Sequence, residues 1–131
     1  LGASLALIAA LDFRNGIYGP EKHALKYPLF NFGQPRLGNN NLAQFVDSNF
    51  GTTLFYRVTH KADLVPQLPY TWMNYHHSLR EVWFPKDDKE FKACSLVKGD
   101  DTHCNAGKFI ANVLDHLNYA DYLIFRFSNQ C

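Results

Sequence analysis

Apolar residues along this chain switch between two spacings, and that alternation constrains the fold more than any other feature. NNLAQFVDSNF places Leu42, Phe45, Val46 and Phe50 at helical intervals, and Asn39 to Asn41 can cap its first turn. It lies between two β-rich runs, KYPLFNF and LFYRVTH, and REVWF reads as a third strand. The opening segment, Leu1 to about Phe13, is a helix apolar on most sides and so expected to be buried. KYPLFNF reads as a short buried strand, and a further helix is expected over Lys108 to Leu114. GQPRLGN reads as a tight turn and ADLVPQLPYTW as a Pro-broken loop held down by its own side chains. Helices between strands give an α/β layered sheet rather than a sandwich.

The 131 residues suffice for one domain with its own core, and 47% apolar with 19% charged residues is a globular balance. Thirteen basic and twelve acidic side chains are scattered with a net charge of +1, so no nucleic acid partner is expected. The longest apolar run, at the start, is too short and too rich in small residues to span a bilayer.

Three cysteines carry more information. Cys94 and Cys104 bracket the polar loop CSLVKGDDTHC, and Cys131 is the last residue. Unrelated free thiols are usually buried, whereas these lie in a polar loop and at a terminus, which favours a loop disulfide. A zinc site from Cys94, Cys104 and His103 lacks the paired C-x-x-C spacing. With the loop closed, Cys131 needs a partner outside this sequence, and the setting is oxidising and secreted.

In layered α/β sheets, chemistry collects in loops at the carboxyl ends of the strands. Asp63 follows LFYRVTH and sits among Leu64, Val65 and Leu68, where a carboxylate is costly to bury without a cation or donor. His116 lies in DHLNYADY between Leu114 and Leu117. Each taken alone reads as a solvated turn aspartate or a core histidine. In the order acid then histidine they resemble two-thirds of a Ser-His-Asp triad, the acid orienting the imidazole while its other nitrogen takes the nucleophile's proton. Asp115, adjacent to His116, is less well placed to orient it. His23, His60, His76, His77 and His103 offer no comparable constellation, and the His76–His77 doublet would point to opposite faces of a strand. Ser4, in G-A-S-L-A, loosely imitates a nucleophile elbow, but the elbow needs a preceding strand. Ser4 reads instead as a small helix-packing residue.

These segments together resemble the fungal class 3, Rhizomucor-type lipases. That family's elbow, G-H-S-L-G-G, runs into a small-residue helix ending in A-L-D, and LGASLALIAALD looks like that motif joined just after the serine. FGQPRLGN resembles the family's G-Q-P-R-V-G strand-turn, and RVTHKADLVPQLP resembles the loop of the catalytic acid, which implies that role for Asp63. NYHHSLREVWF resembles the segment in which a histidine precedes an E-x-W strand, with His77 in that place, and LDHLNY implies the catalytic histidine at His116. Cys94 and Cys104 match a disulfide found in part of the family, and Cys131 a terminal cysteine that pairs near the family's amino terminus. Ala3 departs from the family's frequent Gly.

The resemblance implies that residues 1–131 are the carboxyl-terminal part of one α/β-hydrolase domain, with the nucleophile serine just upstream of residue 1. It further implies a secreted carboxylic ester hydrolase acting on acylglycerols through an acyl-enzyme, without metal or organic cofactor. The implied partners are an acylglycerol or other lipid ester, the lipid–water interface and the upstream part of the same protein. Leu1 would supply an oxyanion-hole N–H and is expected to be buried near His116; Leu64, Val65, Leu68 and Leu117 are candidates for the apolar acyl groove. Competing readings are a feruloyl-type esterase of the same fold, and a catalytically inactive lipid-binding or interaction protein.

Overall fold

The three β-rich runs form the parallel part of one sheet. The computed structural model describes residues 1–17, 28–51, 54–86, 90–97, 99–119 and 122–123. Helix α1 (Gly2–Arg14) is followed by β1 (Leu29–Phe32), α2 (Asn40–Phe50), β2 (Phe55–His60), β3 (Glu81–Phe84) and the short β4 (Lys92–Ala93). The sheet order is β1-β2-β3-β4, parallel from β1 to β3 with β4 antiparallel on the β3 side. β5 (Asn118–Tyr119) and β6 (Tyr122–Leu123) make a separate antiparallel pair. The register sets Phe32 beside Val58 and His60 beside Phe84. All three parallel strands therefore deliver their following loops to one edge of the sheet.

α2 starts where its cap predicts: the Asn39 side chain accepts a hydrogen bond from the Leu42 N–H. Leu7 and Leu11 of α1, Val46 and Phe50 of α2, and Phe55 of β2 form the main core, with the Phe50 and Phe55 rings 5.6 Å apart. β2 is buried over nearly its whole length yet carries Arg57, Thr59 and His60. Glu81 of β3 answers two of these. It accepts a 2.5 Å bond from the Thr59 hydroxyl and lies 3.8 Å from the Arg57 guanidinium, which also donates to the Ser78 and Gly99 carbonyls.

Several expectations are corrected. α1 is buried along one stripe only, through Ser4, Leu7 and Leu11, while Leu5, Ile8 and Phe13 are exposed. The Leu1 side chain is 84% exposed at the start of α1, not buried, because no described residue packs over it. β1, outermost among the described strands, buries only Asn31; Phe30 and Phe32 face outward, Phe30 stacked on Tyr56 and Phe32 edge-on to Tyr119. GQPRLGN is not a tight turn but an irregular run from Gly33 to an antiparallel bridge between Gly38 and His76. No α-helix forms over Lys108 to Leu114. Asn112 instead exchanges backbone hydrogen bonds with Ala62 and Leu64, so the segment docks sideways on the loop after β2. Only single 3₁₀ turns flank it, at Asn105–Gly107 and Leu114–Leu117.

Cys94 and Cys104 are joined in a disulfide with Cα atoms 6.3 Å apart, packed against Trp83. Oxidised, the pair offers no thiolate to a zinc ion, and Cys131 lies outside the described residues. Replacing both cysteines by serine in the full-length chain should lower unfolding free energy by about 2–3 kcal/mol, the loop-closure entropy returned to the unfolded state. A urea titration checks this, and an unchanged midpoint would contradict it.

Candidate active site

Asp63 is placed by the way β2 ends. After His60 the chain turns through Lys61 at φ +43°, and the Asp63 N–H donates back to the His60 carbonyl at 3.0 Å. The Asp63 carboxylate is fully buried, which is tolerable because three donors meet it. The Val65 N–H donates to Oδ1 at 2.8 Å; His116 Nδ1 and the Tyr119 hydroxyl approach Oδ2 at 2.9 and 2.6 Å.

His116 arrives from the opposite direction on the 3₁₀ turn Leu114–Leu117. That turn is pinned beside Asp63 by the Asn112 N–H on the Ala62 carbonyl (2.7 Å) and by the Ala62 N–H on Asp115 Oδ2 (3.1 Å). Asp115 is thus occupied with backbone and is not the partner of the imidazole. With Nδ1–H donating to Asp63, the neutral ring leaves Nε2 as a bare acceptor on a side chain that is 25% exposed. Gly33, at φ +59°, backs directly on the pair: a Cβ there would stand 2.7 Å from His116 Cε1 and 3.2 Å from Asp63 Oδ2.

Tyr119 belongs to this constellation and had no role in the sequence reading. It lies three residues after His116, on β5 (Asn118–Tyr119) just beyond the 3₁₀ turn. Its ring is edge-on to the imidazole, with centroids 6.4 Å apart. Burial first, then the charge and hydrogen bond of Asp63, push the phenol far above its ordinary range, so Tyr119 keeps its proton and always donates.

The helix end and the pair share one edge of the sheet. Asn31 Nδ2, at the end of β1, donates to the Ala3 carbonyl in the first turn of α1 at 2.7 Å and to Gln34 Oε1 at the same distance. Leu1, exposed as a side chain, caps α1 through its carbonyl, which accepts from the Leu5 N–H. Leu64, Val65, Leu68 and Leu117 are each half-buried. Upstream of His116, Phe109, Ile110, Val113 and Leu114, in the segment periodicity assigns to a helix, are all exposed. Ser4 lies on the packed stripe of α1.

His77 and His76 diverge: His77 is buried against the Pro66 carbonyl, while His76 is part-exposed at Asp100. They border a cavity of about 400 Å³ between α2 and the His76–Leu79 segment, whose lining does not include the Asp63–His116 pair.

The class 3 lipase family model matches residues 1–73. A secreted mono- and diacylglycerol lipase of Fusarium solani is 33% identical over 126 residues, covering 91% of this chain and 34% of that protein. A lipase of Rhizopus niveus is 29% identical, covering 92% of this chain and 30% of its own length. The chain therefore spans about a third of the curated relatives it matches. Among solved structures, lipase II of Rhizopus niveus superposes with a TM-score of 0.80 at 27% identity, over 93% of this chain and 44% of that one. A triacylglycerol lipase whose catalytic centre is described as a serine protease triad gives 0.78 at 29%, over 92% and 44%. The sheet and its helices are accordingly part of an α/β-hydrolase fold, and the chain belongs to the class 3 lipase family.

Proposed function

We propose that this chain supplies the acid and the base of a Ser-His-Asp triad that hydrolyses carboxylic esters of glycerol. The observation that carries the reading is the 2.9 Å contact between a fully buried Asp63 carboxylate and His116 Nδ1 at the carboxyl edge of a parallel sheet. Asp63 fixes the tautomer and stabilises the imidazolium; His116 Nε2 takes the proton of a serine hydroxyl and returns it to the leaving alcohol. The serine lies just upstream of residue 1. The Leu1 N–H, at the N-cap of α1 and without an acceptor within the helix, stabilises the oxyanion, and its exposed side chain is immaterial to that role. Leu64, Val65, Leu68 and Leu117 flank the pair as the apolar acyl-binding surface, and the exposed Val113 and Leu114 extend it. No step requires a metal or organic cofactor.

Relatives named as mono- and diacylglycerol lipases in Fusarium solani, Gibberella zeae and Penicillium camembertii make partial glycerides the first substrates to test. The loop disulfide and the word "secreted" in those relatives' names support an extracellular, lipid–water interfacial setting. The test uses the full-length chain: glyceride hydrolysis, together with covalent labelling by a fluorophosphonate. Labelling of a serine directly preceding Leu1, abolished by His116→Ala, is expected. Hydrolysis that survives His116→Ala would overturn the assignment.

Tyr119→Phe probes the third donor. It removes an O–H that contributes about 1.5–3 kcal/mol to a charged acceptor, so kcat should fall roughly 10- to 100-fold with the fold retained. Unchanged kcat would remove Tyr119 from the site.

A further inference from the structure

The loop that carries Asp63 has a problem of hydrogen bonding. Pro66 and Pro69 have no N–H, and the stretch between them makes no strand ladder, so its carbonyls need donors from elsewhere. Two buried residues supply them to four consecutive carbonyls. His77 Nε2–H donates to the Pro66 carbonyl at 2.8 Å. Arg36 Nη1–H donates to the Gln67 carbonyl and, at 2.9 Å, to that of Pro69, while the Arg36 backbone N–H takes the Leu68 carbonyl at 2.8 Å. A carbonyl can only accept, so His77 must carry its proton on Nε2. Burial, with Arg57 and Arg36 nearby, holds its pKa well below the usual value and keeps it neutral.

Both donors are aimed by one acid. Asp100 Oδ1 accepts from Arg36 Nε at 2.7 Å, and Oδ2 accepts from the His77 backbone N–H at 3.2 Å, with His76 Nδ1 3.4 Å away. Asp100 lies in the loop closed by Cys94–Cys104. The same loop region reaches Asp63 a second way: the Asn105 side chain donates to the Asp63 carbonyl at 3.1 Å, and Gln67 Nε2 donates to the Asn105 carbonyl at 3.2 Å.

We infer that Asp100 is a positioning residue for the reaction, acting through Arg36 and His77 to hold the Val65–Pro69 loop and hence the Asp63 carboxylate in register with His116. The mechanical link is short: the Val65 N–H bonds Asp63 Oδ1, and the Val65–Gln67 turn is the part both donors grip. The inference rests on the triad reading above and adds residues to it that touch neither substrate nor reacting atoms.

The experiment is a double-mutant cycle in the full-length chain with a soluble short-chain ester. Asp100→Asn keeps the shape but weakens the hold on Arg36. It should cut kcat roughly 10- to 100-fold, the scale of a small misplacement, with KM within about twofold. In an Asp63→Asn background the same change should have no further effect on kcat, because the group it positions is already disabled. Arg36→Lys, which keeps the charge facing Asp100 but loses the fork, is read through the same cycle and decides the matter if Asp100→Asn does not fold. Losses that multiply across the cycle, or a folded Asp100→Asn protein with unchanged kcat, would overturn the inference. Asp63→Asn with near-normal kcat would overturn the triad reading instead, so the two failures are distinct.

Discussion

Asp63→Asn should leave the protein folded and reduce kcat by about 10⁴-fold, the scale expected when the orienting carboxylate of a triad becomes an amide. Three donors converge on this side chain: the Val65 N–H on Oδ1, and His116 Nδ1 and the Tyr119 hydroxyl on Oδ2. An amide has one acceptor oxygen and one donor nitrogen, so it cannot serve both sides. With its NH₂ toward the imidazole, Nδ1 must become the acceptor, the proton moves to Nε2, and the base is lost. With its oxygen there, the NH₂ meets the Val65 N–H and the turn must shift. Either arrangement strands a buried polar group, at about 1–3 kcal/mol. The protein should therefore show a modest fall in Tm beside a collapse in kcat. A variant within tenfold of the parent would mean that Asp63 does not orient the base.

How much of this could be read in the chain depends on where the physics is local. α2 was legible because its cap and its apolar spacing are written in consecutive residues, and Asn39 does accept from the Leu42 N–H. β2 and β3 were legible as β-rich runs, and Asp63 and His116 as polar residues in apolar company whose pairing the structure closes at 2.9 Å. The helix expected over Lys108 to Leu114 failed because periodicity cannot see a competitor for the backbone. Asn112 finds its hydrogen bonds on Ala62 and Leu64, some fifty residues away in sequence. Exposure misled in the same way. Leu5, Ile8, Phe30 and Phe32 look like core residues by type, but burial belongs to the neighbour as much as to the residue, and the described neighbours leave about two-fifths or more of each exposed. Tyr119 and Asp100 were invisible because their importance lies in what they touch. A tyrosine in LNYADY and an aspartate in KGDDTHC carry no pattern that marks them.

Gly33→Ala should disable the Asp63–His116 pair through a single added methyl. At φ +59° an L-residue is strained by about 1–2 kcal/mol, and the new Cβ would lie 2.7 Å from His116 Cε1 and 2.8 Å from Nδ1. Such contacts do not occur between real side chains, so the imidazole must move. It cannot move toward Asp63, whose Oδ2 is itself 3.2 Å from the added carbon, and so the 2.9 Å hydrogen bond lengthens or breaks. A displacement near 1 Å costs on the order of 100-fold in rate, and kcat should fall by at least that much. Gly51→Ala separates strain from contact. Gly51 ends α2 at φ 56° and ψ −153°, a conformation almost reserved for glycine, but nothing lies within 4 Å of its added Cβ. That variant should lose about 1–3 kcal/mol of stability, as much as Gly33→Ala or more, and keep its kcat. Thermal melts and kcat measured on both full-length variants give the comparison. If kcat follows stability in both, Gly33 is only a turn residue; if it collapses in Gly33→Ala alone, the hydrogen of Gly33 is the clearance that lets His116 reach Asp63.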